Sequence, residues 1–358
     1  MSDKHRPWNS TTVQNSSAES GRTVRETASE TLPGAPNNRT VLIQRIRAAS
    51  ASRPVTPAAV ESRLPKLSDV RAVLFDVYGT LFISGSGDIG TAMDKGRDDV
   101  FADAFLEALS HIAGDNSSSR DVSGDVSGLP AGLGEAAREA YFSTIAELHE
   151  QSMAAGVEAP EVDVREVWRI ACRRPPLCRY LKRLPGAAEI EELALAYELR
   201  ANPVWPMPAA RSTLLELAAR GYRLGLVSNA QFFTPLLFPA LMAAELGELG
   251  IDPQLCAFSF REGHAKPSPM IFRGPLSGLR ERDGIVPREV LYVGNDMRND
   301  IAAAAVAGCR TCLFAGDARS LRLRHADSAL AGIQPEAIIR SLPELLSVLP
   351  VQGGTFHA

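Results

Sequence analysis

The sequence has few aromatic residues, few cysteines and no long apolar run. Aromatic residues make up 6% of the 358 positions. No stretch approaches the roughly 18 consecutive apolar residues of a membrane-spanning helix, and the first residues lack the apolar segment of a secretory signal. The formal net charge of -4 provides no strong positive field for nucleic acid or anionic lipid. We therefore expect neither a nucleic-acid partner nor a membrane.

Five cysteines, an odd number, are spread along the chain. This usage does not predict a disulfide framework and favours a reducing compartment. The apolar fraction of 45% is enough for a sizeable core. The sequence therefore predicts a cytoplasmic globular protein.

The composition divides the chain into a polar tail, a core and an insertion. Residues 1–65 are rich in Ser, Thr, Asn, Arg and Pro, and such a segment cannot bury enough apolar surface to offset its ordering entropy. We predict a disordered tail there, although TVLIQRIRAA from Thr40 could form a helical turn or two, and a short tail at 351–358. The sequence leaves open whether the N-terminal tail has a protein partner. Residues 66–87 and 201–350 form the predicted core, and residues 88–200 form the insertion.

Four short apolar segments of the core predict strands of a parallel sheet that is buried on both faces. They are RAVLFDV from Arg71, GYRLGLVSNA from Gly221, EVLYVGND from Glu289 and RTCLFAGD from Arg310. Amphipathic segments predict core helices over 209–220 and 335–349, and insertion helices over 100–114, 135–156 and 190–201. A Gly/Ser/Asp-rich loop, 115–134, interrupts the insertion. Strands that alternate with helices are typical of a doubly wound α/β, Rossmann-like sheet.

Polar residues stand where these strands end, at the edge where open α/β sheets bind ligands. They are Asp76 after the first strand, Ser228 and Asn229 after the second, Lys266 in a following loop, and Asp296 and Asp300 after the third. Each has an ordinary explanation when taken alone, because Ser228 could cap a helix and Asp300 could complement a helix dipole. Their combined order predicts a catalytic site.

Such a set supports nucleophilic displacement by a carboxylate on a small anionic substrate. Asp76 would attack an electrophilic centre and form a covalent aspartyl intermediate. Ser228 would hydrogen-bond the anionic group under attack, and Lys266 would neutralise charge. Together with Asp76, Asp296 and Asp300 offer hard oxygen ligands for magnesium. The metal would let an anionic nucleophile approach a phosphoryl group.

The order and type of these motifs resemble those of the haloacid dehalogenase (HAD) superfamily of hydrolases and phosphatases. FDVYGTLF resembles the first motif, VSNA the second, KPSPMIF the third and VGNDMRNDIAAAAVAG the fourth. The resemblance implies that the insertion is a helical cap over the substrate. The catalytic and substrate-binding positions that it implies are Asp76, Thr80, Ser228, Asn229 and Lys266.

Tyr78 departs from the phosphatase pattern. A second Asp usually stands two residues beyond the nucleophile, where it protonates the leaving group and then activates water, whereas tyrosine is a poor general base at neutral pH. The backbone carbonyl of Tyr78 would still bind magnesium, so Tyr78 stays in the predicted catalytic and metal sets. Tyrosine at this position resembles the 2-haloacid dehalogenases, which work without metal because halide leaves without a proton.

The acidic fourth motif resembles the metal-dependent branch instead, and which of Asp296 and Asp300 reaches the metal stays open. The third motif of the dehalogenases also tends to bring an aromatic hydroxyl after the lysine, and the nearest residue here is Phe272. We therefore predict magnesium-dependent hydrolysis of a small organic phosphate. Its leaving group would be good, as in an acyl phosphate, or its acid would come from the cap or the substrate.

Two alternatives remain at this stage. One is metal-independent carbon–halogen hydrolysis of a 2-haloacid, in which a cap arginine would grip the substrate carboxylate; Arg138 and Arg169 are available. The other is a non-catalytic binding module on the same fold.

Overall fold

The computed structural model describes residues 38–84, 98–113 and 130–352. Most of the predicted tail, most of the Gly/Ser/Asp-rich loop and the last six residues lie outside the described residues. Among the helices of these ranges, none combines the length and the apolar character that crossing a membrane requires.

The described part of the chain contains strands and helices in alternation. The strands are β1 (Ala72–Phe75), β2 (Phe82–Ser84), β3 (Val204–Pro206), β4 (Arg223–Ser228), β5 (Ile251–Phe258), β6 (Val290–Gly294), β7 (Arg310–Phe314) and β8 (Ala337–Ile339). The helices are α1 (Asn38–Ala49), α2 (Asp98–Leu109), α3 (Leu133–Ala154), α4 (Val164–Ala171), α5 (Ala187–Ala201), α6 (Ala210–Ala219), α7 (Ser259–Glu262), α8 (Arg273–Asp283), α9 (Ala303–Val306) and α10 (Leu345–Val348). A π-helical turn, Met297–Ala302, precedes α9.

Six strands form one parallel sheet in the order β5-β4-β1-β6-β7-β8. The predicted doubly wound fold is thus confirmed. Central β1 pairs with β4 on one side and β6 on the other, and Phe75 stands opposite Leu226 and Val293. The carboxyl ends of β1, β4 and β6 therefore meet at the point where the strand order reverses, which is where such sheets bind ligands.

Two of the six strands were not predicted. β5 carries Asp252, Pro253 and Gln254 in its first half, and such residues are tolerated because β5 is an edge strand. β8 corrects the prediction of one helix over 335–349. A proline disfavours helical backbone in the residue before it, so Pro343 leaves room only for the short helix α10 after a strand.

The helical insertion, α2 to α5, leaves and rejoins the core through a small antiparallel sheet. Phe82 of β2 pairs with Pro206 of β3, and Ser84 pairs with Val204. The insertion has its own aromatic cluster, in which ring centroids lie 4.5 Å apart for Phe101 and Tyr197 and 4.7 Å apart for Tyr141 and Trp168. The predicted helices correspond to α2, α3 and α5, whereas α4 was not predicted.

Residues 38–65 correct the prediction of a disordered tail as far as residue 65. α1 buries Leu42, Ile43 and Ile46, which lie on one face of the helix. Arg45 forms ion pairs with Glu107 and Glu192 of the insertion. The free energy gained from these apolar and charged contacts offsets the conformational entropy that the segment loses on ordering.

We expect Ile46→Ala to lower the free energy of unfolding by about 2–4 kcal/mol, because Ile46 is fully buried and the substitution leaves a cavity. Val306→Ala, at a position that is 72% exposed, is the matched control. Urea denaturation measures both. An Ile46→Ala value as small as that of the control would contradict the packed state of α1.

Candidate active site

Asp76 lies at the carboxyl end of β1, and its side chain is almost fully buried. Its Oδ1 accepts hydrogen bonds from Ser228 Oγ at 2.9 Å and from Lys266 Nζ at 2.7 Å. Burial raises the pKa of Asp76 to about 6, with the Lys266 charge opposing and the Asp300 charge adding to the rise. Asp76 is therefore ionised above pH 6 and is poorly solvated, which suits a nucleophile.

Lys266 joins three parts of the sheet edge. Its ammonium donates to Asp76 Oδ1, to Asp300 Oδ1 at 2.6 Å and to the hydroxyl of Tyr292 at 2.8 Å. Burial lowers the pKa of Lys266, but the charges of Asp300 and Asp76 outweigh it and raise the pKa overall. The ammonium therefore stays charged at neutral pH.

Tyr292 is a site residue that sequence reasoning missed. It projects from β6, and its hydroxyl donates to the carbonyl of Val227 at 2.7 Å while accepting from Lys266. The hydroxyl that is missing at Phe272 is thus supplied from β6, and the Phe272 ring packs edge-on against Tyr292 at 4.9 Å. The only local signal was one polar side chain within an otherwise apolar strand.

Asn229 and Thr80 hold backbone and turns. The Asn229 amide accepts from the Lys266 N–H at 2.7 Å and donates to the Lys266 carbonyl at 3.1 Å, so it fixes the loop that carries the ammonium. Thr80 is fully buried, and its hydroxyl donates to Asn295 at 3.1 Å. The structure does not bring the predicted substrate-binding hydroxyl of Thr80 into the Lys266 network.

The two acids after β6 have different partners. Asp300 accepts from Lys266 and, through Oδ2, from the N–H of Asp296 at 2.8 Å. The carboxylate of Asp296 accepts four donors, which are the Arg298 and Asn299 N–H groups and two guanidinium nitrogens of Arg324. A carboxylate has about four acceptor positions. Three of these donors reach Oδ1 and one reaches Oδ2, so Asp296 is more fully engaged than Asp300 and Asp76, which accept fewer hydrogen bonds.

Tyr78 is buried and cannot act as a base near neutral pH. Its hydroxyl lies 2.8 Å from Thr234 Oγ1. Burial raises its pKa well above 10, although the Thr234 hydrogen bond opposes the rise, and the charges of Glu198 and Asp76 raise it further. The role that the second Asp would have is therefore not filled by this side chain.

A cavity of about 440 Å³ lies between the core and the helical insertion. Asn229 and Lys266 line it from the core, and titratable side chains of the insertion line the other side, namely Tyr141, His149, Glu161 and Glu198. None of these four was singled out from the sequence. The two arginines that were, Arg138 and Arg169, form ion pairs with Asp98 and Glu166 instead.

A family model described as haloacid dehalogenase-like hydrolase matches residues 70–308. The chain belongs to this family. The match contains β1, the helical insertion and every strand end described above, and it makes the protein a hydrolase.

This HAD-like hydrolase is 34% identical over 151 residues to the phosphoglycolate phosphatase of Escherichia coli K12, covering 40% of the chain and 50% of that protein. It is 29% identical over 150 residues to the glyceraldehyde 3-phosphate phosphatase of Pyrococcus furiosus, covering 42% of the chain and 56% of that protein. The chain thus spans about half the length of these two relatives. The solved 2-haloacid dehalogenase of Pseudomonas syringae pv. tomato DC3000 gives a TM-score of 0.43 at 21% identity, over 78% of this chain and 97% of that one.

We expect Lys266→Met to destabilise the HAD-like hydrolase by about 3–5 kcal/mol at pH 8, because two buried carboxylates lose their counter-charge. The pKa of Asp76 then rises above its present value of about 6, since Lys266 lowers it. Protonation relieves the unpaired charge, so the deficit shrinks as the pH falls from 8 to 5. Thermal unfolding at both pH values measures this. Lys66→Met, at an exposed lysine, is the control, and a deficit independent of pH would refute the electrostatic explanation.

Proposed function

We propose that this protein hydrolyses a small organic phosphate through an aspartyl-phosphate on Asp76. The observation that carries the proposal is the state of this carboxylate. Ser228 and Lys266 fix Oδ1, whereas no described residue donates a hydrogen bond to Oδ2. The carboxylate is therefore held in one orientation with an oxygen left for attack. The phosphatase names of both sequence relatives support phosphoryl transfer.

Each residue of the network has one proposed role. Asp76 attacks phosphorus, and Ser228 and Lys266 orient it and offset the charge of the phosphoryl oxygens. Asn229 positions the Lys266 backbone. Tyr292 holds the ammonium in place from the neighbouring strand.

Magnesium is part of the proposal. Asp76 and Asp300 retain acceptor capacity and offer hard oxygen ligands, and with the carbonyl of Tyr78 they would hold the ion. When bound, the ion would offset repulsion between the nucleophile and the phosphate. Within the described ranges no three acidic, His or Cys side chains converge as a metal site. Asp296 is left out of the proposed ligand set because it already pairs with Arg324.

The volume of the cavity supports a small substrate. A volume of about 440 Å³ falls in the usual range for small-molecule sites.

The proposal also places the protein in the cytoplasm. All five cysteines are free thiols, as suits a reducing compartment.

Hydrolysis of a 2-haloacid is the second candidate. Two features favour it. One is the tyrosine at position 78, and the other is the Tyr292 hydroxyl, which accepts a hydrogen bond from Lys266. Against it, the carboxylate of a 2-haloacid would need a cationic partner from the insertion. The arginines proposed to grip that carboxylate, Arg138 and Arg169, are paired with other acids.

We expect the protein to release phosphate from p-nitrophenyl phosphate and Asp76→Asn to reduce kcat by about 10⁴-fold or more, because the nucleophile is lost. The wild-type rate should fall as the pH drops below about 6, since protonation of Asp76 removes the attacking charge. The assay is phosphate release from pH 5 to 8. Halide release from L-2-chloropropionate in EDTA, without any phosphate release, would establish the second candidate instead. Release of neither would favour a non-catalytic module.

We expect Asp300→Asn to weaken magnesium activation at least about tenfold, because it removes a proposed ligand. Asp296→Asn is the matched control and should leave the magnesium requirement unchanged, since that carboxylate is occupied by Arg324. The measurements are the magnesium concentration for half-maximal activity and the thermal stabilisation by magnesium without substrate. Loss of both in Asp296→Asn, with both retained in Asp300→Asn, would reverse the ligand assignment.

A further inference from the structure

The proposed reaction lacks a group that exchanges protons with the leaving group and with water. An alkoxide is a poor leaving group unless a proton reaches it in the transition state. Tyr78 occupies the position where a second Asp would provide this proton, and burial holds its pKa well above 10. The acid must therefore come from another side chain of the cavity or from the substrate.

Glu198 has a buried carboxyl group, and one of its two oxygens makes no hydrogen bond with the described residues. It lies in the last turn of α5, and 6% of its surface is exposed. Its Oε1 has no hydrogen-bond partner within the described part of the chain, although the atom is fully shielded from solvent. Burying a polar atom without a partner costs free energy. Glu198 lines the cavity, so a carboxyl group with one unpartnered oxygen lies beside whatever fills the cavity.

The cavity connects Glu198 with the nucleophile network. Lys266 and Glu198 both line it, and Lys266 Nζ lies 2.7 Å from Asp76 Oδ1. Glu198 also lies close enough to Tyr78 for its charge to raise the pKa of that hydroxyl. A substrate in this cavity would therefore meet Glu198 and Lys266, and the Lys266 ammonium is one hydrogen bond away from Asp76.

We propose that Glu198 is the general acid and base of the reaction, replacing from the helical insertion the carboxyl that the core lacks at Tyr78. This inference rests on the phosphatase function proposed above. Glu198 exchanges its proton with the bridging oxygen of an alkyl phosphate monoester in the first step and with a water molecule in the second.

The two steps balance. In the first, Asp76 forms an O–P bond, the bond from phosphorus to the alkoxy oxygen breaks, and the Glu198 carboxyl gives its proton to that oxygen. The products are an alcohol, the aspartyl-phosphate and the Glu198 carboxylate. In the second, water forms an O–P bond and gives a proton to Glu198 while the Asp76–phosphorus bond breaks. Free phosphate leaves, and both carboxyl groups return to their starting states.

The other titratable groups of the cavity fit this role less well. Both oxygens of Glu161 are occupied, Oε2 by the Ser259 hydroxyl at 2.8 Å and Oε1 by the Val162 N–H at 2.9 Å. Nε2 of His149 has no partner among the described residues, but burial lowers its pKa below 6.5, so it is neutral at pH 7 and a weak proton donor. Burial raises the pKa of Tyr141 well above 10.

The pKa of Glu198 also favours its role as the acid and base. Burial raises its pKa to about 7, opposed by an Asn202 hydrogen bond and supported by the Glu161 charge. A carboxyl with that pKa is present in both forms near neutral pH, as an acid that later acts as a base requires. The charged and titratable groups around the shared cavity are Tyr78, Tyr141, His149, Glu161, Lys266 and Arg324.

The test is a comparison of leaving groups. The substrates are p-nitrophenyl phosphate, whose phenolate leaves without help, and 2-glycerophosphate, whose alkoxide needs a proton. We expect Glu198→Gln to lower kcat/KM, which reports the first step alone, about 10²–10³-fold on 2-glycerophosphate and less than about tenfold on p-nitrophenyl phosphate. The activity that remains on the aryl ester shows that the variant is folded. Glu161→Gln and His149→Gln are the matched controls from the same cavity.

A pH profile provides a second readout. The wild-type kcat/KM on 2-glycerophosphate should fall as the pH rises through about 7, because Glu198 loses the proton needed in the first step, and this limb should be absent in Glu198→Gln. Equal losses on both esters, or a leaving-group difference in His149→Gln instead, would overturn the role of Glu198. A wild type that hydrolyses neither ester would instead refute the proposed phosphatase function, and with it this inference.

Discussion

The rest of the site depends on one buried ammonium. Lys266 Nζ makes hydrogen bonds to Asp76, Asp300 and Tyr292, and its side chain is 3% exposed. Charges this deep are stable only when each has a partner, so the loop that carries Lys266 and the strands β1 and β6 must stay in register. Gly294 shows how tight the arrangement is, because a Cβ there would lie 2.3 Å from the Asp300 carboxyl carbon. Only glycine lets that carboxylate reach the ammonium.

Charge compensation also separates two acids that the sequence presents as equivalent. Asp300 shares Lys266 with Asp76, whereas Asp296 pairs with Arg324. Asp296 in addition caps the π-helical turn through two backbone N–H groups. It therefore stabilises the segment that positions Asp300. Spacing in the sequence could not reveal this division, since it depends on a cation 28 residues further along the chain.

The sequence predicted the features that have a local signal and missed those that depend on contacts between distant segments. Apolar runs predicted β1, β4, β6 and β7, because a strand buried on both faces must be apolar throughout. The same rule missed the edge strand β5. Residues at strand ends were found because parallel strands bring their ends together whatever the loops between them do. Tyr292 and Glu198 were missed because their roles depend on contacts between distant segments. In each case the one local trace was a polar residue among buried apolar neighbours.

The substitution at Tyr78 gains a physical explanation once the helical insertion is considered. Its hydroxyl bonds to Thr234, which also accepts from the Gln231 N–H, and the Gln231 side chain bonds to the backbone of Val162 and Val164 in the insertion. Tyr78 thus belongs to a buried connection between core and insertion, where a second carboxylate would add an uncompensated charge beside Asp76. In the proposed mechanism the nucleophile lies in the core and the acid lies in the insertion, so proton transfer requires both parts to face one cavity. Such a division would tie the chemical step to the correct placement of the insertion on the core, because the leaving group meets its proton only when both parts are in position.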